Sequence, residues 1–304
     1  MFNINHKTFM CLFIVFIYPL NLSAMTQITV WEQTVNGPTE IIMDTLYRAL
    51  EITKPEYGDY QLFTSAKMEQ GRALRELSKI ENAQLDLAHF APTKEREKEA
   101  IVVRFPLIQG LLGYRVCLIK EGEQQKFSNI ANKSQWINNK LSVGQHKSWP
   151  DTLVLKANGL PVKTSYKYEL LFQQLAKNRF DCFARGANEI VYEYDLHQHL
   201  GLEIEKEVLL HYPFPLFFFV NKSKPALAKR LEVGLSMLIE NGIFEKLFDY
   251  YYQEQIINLN LQNRHIIELQ NPTLSYRTIQ VLKQSKLFFK QHYLFKKNAS
   301  LVEN

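Results

Sequence analysis

Sequence motifs that mark many enzymes are missing from this chain. It has no Gly-x-Ser-x-Gly turn, no phosphate-binding loop and no dinucleotide fingerprint. Its histidines and cysteines do not cluster at metal-ligand spacing, and we interpret His197 and His199, two positions apart, as part of a helix surface. We therefore predict a protein that is not an enzyme and that needs no cofactor and no metal.

Apolar runs long enough to cross a membrane are also missing beyond the N-terminus. His6 and Lys7 precede an apolar run over residues 9–20, and small residues follow up to Ala24. This pattern predicts a cleaved secretory signal peptide over residues 1–24 and a periplasmic protein. No later segment approaches the roughly 18 apolar residues that a membrane span needs.

Cysteine is scarce, with three residues in the whole sequence. Cys11 lies within the predicted signal peptide, and no lipobox precedes it. Cys117 and Cys182 lie in separate apolar runs that are typical of strands. In an oxidising compartment these two cysteines can pair, but we favour two buried thiols as the simpler interpretation.

A basic field over the whole protein is missing as well. The net charge is +5, but residues 276–304 alone contribute +5 and the predicted signal peptide contributes +1, so residues 25–275 sum to about −1. This balance excludes nucleic acid as an expected partner. The charge belongs to a basic C-terminal extension, which we predict over residues 266–304.

Apolar and basic positions alternate in this extension at helical spacing. Ile279, Leu282, Phe289 and Tyr293 approximate one helical face. Such a stretch can lie on an anionic membrane surface or on a partner protein. We favour the alternative that the extension is a loosely docked appendage.

Strand-like and helix-like segments alternate along the rest of the chain. A strand at residues 27–33, a helix around Leu46 and a third strand at residues 83–90 begin one series, and a second series begins near residue 128. Alternation of this kind predicts parallel sheets flanked by helices. Two such series predict an α/β protein of two lobes with a cleft between them.

A hydroxyl and a guanidinium follow the third predicted strand. Thr93 begins a segment of helix formers after Pro92, and Arg96 follows three positions later. A helix N-terminus with these two donors, at the carboxyl end of a strand, is a suitable site for a carboxylate. The alternatives are an ordinary Thr cap and an Arg that is solvated or paired with Glu99.

Five segments in order resemble the family 3 extracellular solute-binding proteins, which are the amino-acid-type periplasmic receptors of the type II periplasmic-binding fold. The Thr-x-x-Arg stretch is similar to the family's "T-P-E-R…F-S-x-P-Y" segment, and four later stretches are similar in order and spacing. The segments are "TKEREKEAIVVRFPL", "GLLGYRVCLI", "KLSVGQHKSWPDT", "RFDCFARG" and "FFFVNKSKPALAKRLEVGLSMLIENGIFEKLF". The resemblance covers roughly residues 26–252.

The resemblance implies a discontinuous first lobe. Lobe one is expected over residues 25–118 and 212–265, and lobe two over residues 119–211. It also implies that Thr93 and Arg96 form the carboxylate clamp of such receptors.

One departure from the family lies in the second lobe. Receptors for α-amino acids place an Asp near the end of the strand that matches "RFDCFARG", and here Asp181 matches an earlier Asp of that pattern while Gly186 stands at the amine-binding position. A free ammonium on the ligand is therefore in doubt. The neighbouring Arg185 favours a second acidic group on the ligand, or else it forms an ion pair with Glu189 or Glu193.

Further candidates for ligand contact lie where strands end. Trp31 and Glu32 close the first strand, although Trp31 suits the core equally well. Gln145 and Trp149 lie at the first strand-to-helix turn of lobe two, and Tyr114 lies where the chain leaves lobe one. We interpret His89 as a core or rim histidine.

The function expected from the resemblance is capture of a small, carboxylate-bearing ligand between hinged lobes. The ligand would then pass to the permease of an inner-membrane ABC transporter or be presented to a sensor. Because this fold also serves dehydratases and lyases, one alternative is a secreted enzyme with Glu32 as its acid or base. Another is a degenerate member that binds no small ligand.

Overall fold

The computed structural model describes residues 25–36 and 39–284. Within them the strands form two separate sheets. The first sheet contains β1 (Thr26–Val30), β2 (Tyr60–Thr64), β3 (Leu87–Phe90), β4 (Ile101–Val103) and β11 (Phe217–Val220). The second contains β5 (Tyr114–Lys120), β6 (Val143–His146), β7 (Val162–Ser165), β8 (Cys182–Gly186), β9 (Leu202–Ile204), β10 (Val208–His211) and β12 (His265–Glu268).

The first sheet is built around a parallel core. Its strand order is β2-β1-β3-β11-β4, with β1 parallel to β2 and β3. Strand β11 is antiparallel to both of its neighbours, β3 and β4. The apolar run Phe217–Val220 is buried on both faces, as a central strand covered by helices requires. This sheet and its helices form lobe one.

The second sheet is mixed. Its order is β12-β10-β5-β8-β6-β7, and β9 also pairs with β5. Strand β6 is parallel to β7 and β8, whereas β5 is antiparallel to β8, β9 and β10. Its edge strand β12 is parallel to β10. This sheet and its helices form lobe two, so the predicted two-lobed α/β architecture is confirmed.

Helices flank both sheets in the described residues. They are α1 (Glu32–Asn36), α2 (Ile41–Ile52), α3 (Lys54–Tyr57), α4 (Gln70–Ser78), α5 (Lys133–Asn138), α6 (Pro150–Ala157), α7 (Tyr168–Ala176), α8 (Ile190–His197), α9 (Pro225–Glu240), α10 (Ile243–Asn258) and α11 (Tyr276–Gln284). Helix α9 buries Leu227, Leu231, Leu235 and Leu238, which lie on one face at helical spacing, and it packs against α2. Within the described residues, no helix combines the length and the apolar character of a membrane span.

The chain passes between the lobes at four places. Residues 104–113 lead from β4 to β5, and residues 212–216 lead back from β10 to β11. These two segments touch at Gly113, where a Cβ atom would lie 2.3 Å from the carbonyl oxygen of Tyr212. Residues 259–264 then lead from α10 to β12, and residues 269–275 return to lobe one.

The strand pairing differs from the predicted lobe bounds at two places. Lobe one was predicted to end at residue 118, but β5, which begins at Tyr114, already pairs within the second sheet. The second segment of lobe one was predicted to end at residue 265. Strand β12 begins at that residue, and it belongs to the second sheet. The other predicted bounds, including the signal peptide outside the described residues, stay predictions.

The two cysteines among the described residues are bonded to each other. Cys117 on β5 and Cys182 on β8 form a disulfide, with their Cα atoms 5.1 Å apart. The favoured interpretation of two buried thiols was therefore wrong. Strands β5 and β8 are neighbours in the second sheet, and this pairing was not visible in the sequence.

The described part of the C-terminal extension is docked by specific contacts. Strand β12 pairs with β10 over four residues, and Thr278 of α11 is fully buried. Leu282 packs against the smaller core cluster of lobe one. A loosely docked appendage is therefore wrong for residues 266–284. Phe289 and Tyr293 lie outside the described residues, so the predicted amphipathic face stays a prediction.

Candidate functional site

A cavity of about 120 Å³ lies between the lobes. Lobe one lines it from the carboxyl end of β3, and lobe two lines it from the ends of β6 and β8 and the starts of α6 and α8. Its lining is Thr39, Gln70, His89, Phe90, Ala91, Arg96, Leu112, Arg115, Trp149, Pro150, Asp151, Arg185, Asn188, Glu189, Phe214 and Leu216. The carboxyl ends of strands are where ligands bind in open α/β sheets.

Arg96 is the cationic group that lobe one contributes. Its guanidinium donates to the carbonyl oxygen of Ala91 at 2.9 Å and to Oε1 of Gln70 at 2.9 Å. The backbone N–H of Arg96 donates to the hydroxyl of Thr93 at 3.2 Å. Thr93 therefore orders the turn, and Arg96 itself faces the cavity.

The predicted helix after Thr93 was wrong. Only a 3-10 turn forms there, over Arg96–Lys98, before β4 begins at Ile101. The segment is too short for a helix between two strands of one sheet, despite its helix-forming composition. A helix N-terminus after Thr93 therefore does not contribute backbone N–H groups to this site.

Arg96 lacks an anionic partner in the part of the chain that the structure describes. Its hydrogen-bond acceptors are a backbone carbonyl and a neutral amide, and it forms no salt bridge with any described residue. Burial lowers the pKa of Arg96 to about 10, against the opposing influence of Asp151 on the other lobe. The side chain stays cationic near neutral pH, and its positive charge is uncompensated within lobe one.

Lobe two presents a first arginine that is already paired. Nη2 of Arg115 lies 2.5 Å from Oδ1 of Asp151, and the hydroxyl of Tyr212 donates to the same oxygen at 2.6 Å. Burial alone would lower the pKa of Arg115, but Asp151, Tyr212 and Glu189 together outweigh it and the pKa is raised. Asp151 thus faces the cavity at the start of α6, and its Oδ1 already accepts from Arg115 and Tyr212.

Arg185 is paired even more completely. It donates to Glu193 through Nε at 2.5 Å and through Nη2 at 2.6 Å, and to Glu189 at 2.8 Å. Its guanidinium lies 4.7 Å from the ring centre of Trp149. The predicted preference of Arg185 for a second acidic group on the ligand is therefore not supported, because the alternative ion pairs are formed.

Acidic groups outnumber basic ones when the lobe-two wall is taken together with Glu193, which lies behind it against Arg185. Two guanidiniums, Arg115 and Arg185, face three carboxylates, Asp151, Glu189 and Glu193. This cluster of five side chains therefore carries a formal charge of −1 opposite the uncompensated charge of Arg96. Burial raises the pKa of Glu189, so this carboxylate takes up a proton more readily than a solvated one.

Gly186 and Asn188 shape the wall where the resemblance suggested a missing Asp. A Cβ atom at Gly186 would lie 2.5 Å from Oδ1 of Asn188 and 3.0 Å from Leu112. Asn188 is 6% exposed, lines the cavity, and its Oδ1 accepts no hydrogen bond in the described structure. A buried oxygen of this kind needs a donor, which a ligand can supply.

His89 lies at the rim of the site rather than in the core alone. Its Nδ1 lies 2.8 Å from the hydroxyl of Thr34, and its ring lines the cavity. Burial lowers the pKa of His89 to about 4, so the imidazole is neutral near neutral pH. The prediction of a core or rim histidine agrees with this placement.

Besides Thr93, four predicted contact residues lie away from the cavity lining. Trp31 is buried in lobe one and donates to the carbonyl oxygen of Met68. Glu32 begins α1, and its backbone N–H donates to Ser65. Tyr114 stacks on a histidine of β10, and Gln145 is fully buried and donates to the carbonyl oxygen of Ala184. None of these four residues lines the cavity, so we no longer place them in the site.

The sequence pattern did not identify Arg115, Asp151 and Asn188 as site residues. Arg115 interrupts an apolar run, and a charged residue inside a buried strand is a signal that could have drawn attention to it. Asp151 lies in the first turn of α6, where an acidic residue is common because it interacts favourably with the helix dipole. Their convergence depends on how the two lobes pack, which local spacing does not reveal.

Comparison with solved structures identifies the fold. An ancestral arginine-binding protein bound to arginine matches with a TM-score of 0.52 at 17% identity, over 74% of this chain and 98% of that chain. A periplasmic His/Glu/Gln/Arg/opine family-binding protein from Silicibacter pomeroyi, in complex with lysine, matches with a TM-score of 0.52 at 10% identity, over 76% and 98% of the chains.

A third match is the substrate-binding protein of an amino acid ABC transporter, with a TM-score of 0.50 at 13% identity over 75% of this chain and 99% of that chain. No family model matches the sequence, and the comparison with curated proteins gives no match. The chain therefore has the two-lobed fold of amino-acid-binding periplasmic proteins, the type II periplasmic-binding fold.

Proposed function

We propose that this protein is a periplasmic solute-binding protein that captures a small, carboxylate-bearing ligand between its lobes. The observation that carries the proposal is Arg96, a cation that faces the cavity and has no anionic partner among the described residues. A ligand carboxylate would supply that partner through a charge-assisted, two-pronged hydrogen bond. Contacts to both lobes would then stabilise a closed state.

The opposite wall constrains the rest of the ligand. Asp151 and Glu189 are acidic residues on this wall, and Oδ1 of Asn188 has no hydrogen-bond donor among the described residues. We propose that the ligand carries an N–H or cationic group in addition to its carboxylate, and that this group faces lobe two. A purely anionic ligand with two acidic groups would meet like charge at this wall.

The cavity volume limits the size of the ligand. About 120 Å³ is below the roughly 300–1,000 Å³ that is typical of sites for drug-sized ligands. Phe90, Trp149 and Phe214 give the lining an apolar component. A compact ligand with a short apolar part fits these properties best.

The output proposed for the protein is delivery of its ligand to the permease of an ABC transporter, or presentation to a sensor. The structural matches that are binding proteins of transporters favour the first. An enzyme of the same fold was the alternative, with Glu32 as its acid or base. Glu32 does not line the cavity, so no observation favours that alternative.

A thermal-shift screen of the purified protein tests the proposal. The ligands are zwitterionic amino acids, monocarboxylates, dicarboxylates and neutral sugars of similar size. A ligand at 100 times its Kd raises the free energy of unfolding by about 2.7 kcal/mol, which gives a clear shift in Tm. We expect shifts from the zwitterionic group. Shifts from sugars alone, or from none of the four groups, would reject the proposal.

A further inference from the structure

A strap at the C-terminal end of the described chain is attached to both lobes. We define this strap as residues 269–278, from the end of β12 to the first turn of α11. On lobe two, the N–H of Leu269 donates to the carbonyl oxygen of His211 at 2.7 Å. The side-chain amide of Asn158 bonds to both the carbonyl oxygen and the N–H of Gln270, at 2.8 and 3.0 Å.

On lobe one, the strap is attached to the turn that carries Arg96. The N–H of Lys94 donates to the carbonyl oxygen of Thr273 at 2.9 Å. The hydroxyls of Ser275 and Thr278 donate to the carboxylate of Glu97 at 2.8 and 2.6 Å. Glu97 is also bound by Arg104 at 2.5 Å, and its side chain is 7% exposed.

The free part of the strap is very short. Gln270 is held on lobe two and Thr273 on lobe one, so three residue steps connect the attachments, which span at most about 11 Å when extended. Oδ1 of Asn271 accepts from both the N–H and the hydroxyl of Thr273, at 3.0 and 2.6 Å, which holds this stretch in a folded turn. Little slack therefore remains between the lobes at this point.

We propose that Glu97 is a positioning residue, and that the strap it holds fixes the Arg96 turn relative to lobe two. Arg96 is adjacent to Glu97 in a 3-10 turn of three residues, which has no longer helix of its own to stiffen it. The strap provides this support instead, because it connects the turn to lobe two. The inference rests on the proposed function only in giving Arg96 its role toward a ligand, because the tether itself acts without ligand.

An inserted linker tests the tether without removing either attachment. A six-residue Gly/Ser linker after Asn271 adds reach of about 13 Å. Spin labels at Lys98→Cys, in the Arg96 turn, and Lys163→Cys, on β7, report the distance between the turn and lobe two in a Cys11→Ser background. The native disulfide leaves Cys117 and Cys182 unavailable to the label.

We expect the linker to shift the distance distribution to longer values by up to about 10 Å and to broaden it. The control places the same linker after Gly122, in an exposed turn within lobe two, and should leave the distribution unchanged. An unchanged distribution with the linker after Asn271 would overturn the proposal. The measurement needs no ligand, so it can fail or succeed independently of the proposed function.

Substitution of Glu97 tests the lobe-one attachment separately. Glu97→Ala removes the acceptor of both strap hydroxyls but leaves the hydrogen bond from Lys94 to Thr273, so we expect the distribution to broaden less than with the linker. Glu97→Gln keeps one oxygen that accepts from Thr278 and should restore most of the native distribution. Glu97→Ala and the linker act on the same connection between the lobes. The distribution of the combined variant should therefore be no broader than that of the linker variant alone. Additive broadening would contradict the proposal.

Discussion

At the scale of single residues, the site depends on one unpaired cation among several paired ones. Arg115 and Arg185 are neutralised within lobe two, whereas Arg96 bonds only to a carbonyl and an amide. A buried ion pair that is complete has little to offer a ligand, because a new anion must first displace the existing one. Arg96 needs no such displacement.

We expect Arg96→Ala to abolish the Tm shift caused by any ligand that the wild type binds. The cost to the free energy of unfolding should be about 2 kcal/mol, because two hydrogen bonds to lobe one are lost at about 1 kcal/mol each. Thermal melts with and without ligand measure both effects. Arg48→Ala is the control, since Arg48 is exposed and pairs with Asp44 on the same helix. Unfolding of the Arg96 variant would instead indicate a structural arginine.

His89 should make the stability depend on pH. Its pKa falls from 6.5 in the unfolded chain to about 4 in the folded one, so the unfolded chain binds more protons between these values. Stability is therefore lost as the pH falls through this range, by up to about 2 kcal/mol between pH 7 and pH 5.

Denaturant titrations at pH 7 and pH 5 measure this effect. His89→Gln should remove the His89 share of the difference, while His265→Gln, at an exposed position, should leave it unchanged. An equal pH dependence in the wild type and His89→Gln would show that His89 is not the group responsible.

At the scale of elements, the periodic segments were predictable and the irregular ones were not. The apolar face of α9 and the strand Phe217–Val220 follow from spacing alone, because each buries a regular pattern. The turn at Arg96–Lys98 was predicted as a helix, since its composition favours one. Its conformation is set instead by β3 and β4 on either side and by contacts with the strap, which are distant in sequence.

The disulfide joins two neighbouring elements, β5 and β8. It closes a long loop of the chain, with a sequence separation of 65, so it restricts the unfolded state considerably. We expect Cys117→Ala combined with Cys182→Ala to lower the free energy of unfolding by about 4 kcal/mol. Denaturant titration of the oxidised wild type, the reduced wild type and the double variant measures it. Equal stability of the oxidised and reduced wild type would contradict the prediction.

At the scale of the whole molecule, the two-lobed architecture was predictable from the order of segments, and the cavity was not. Arg96, Trp149 and Arg185 were predicted as contacts and line the cavity, because the ends of strands converge there in any fold of this kind. Trp31 follows β1 and Gln145 lies near the end of β6, but their side chains are buried in the core. A side chain at the end of a strand can point into the cavity or into the core. The choice depends on tertiary packing, which the spacing of residues in the sequence does not reveal.

Binding should bring the lobes together. We expect a ligand from the thermal-shift screen to narrow the distance distribution between labels at Lys98→Cys and Lys163→Cys, because contacts to both walls favour the closed state. Spin-label distances with and without ligand measure this change. The same labels with Arg96→Ala should show no narrowing at that ligand concentration. Narrowing in both proteins would mean that Arg96 does not contribute to closure.

The late position of β12 in the sequence has a consequence for biosynthesis. Lobe two is otherwise finished at residue 211, yet β10 has no neighbour on its outer side until residues 265–268 have been made. A chain that ends before β12 would present the backbone of Val208–His211 as an unpaired sheet edge, which invites pairing between molecules. Loss of the C-terminal residues should therefore convert this protein into an aggregating species rather than a shortened but functional one.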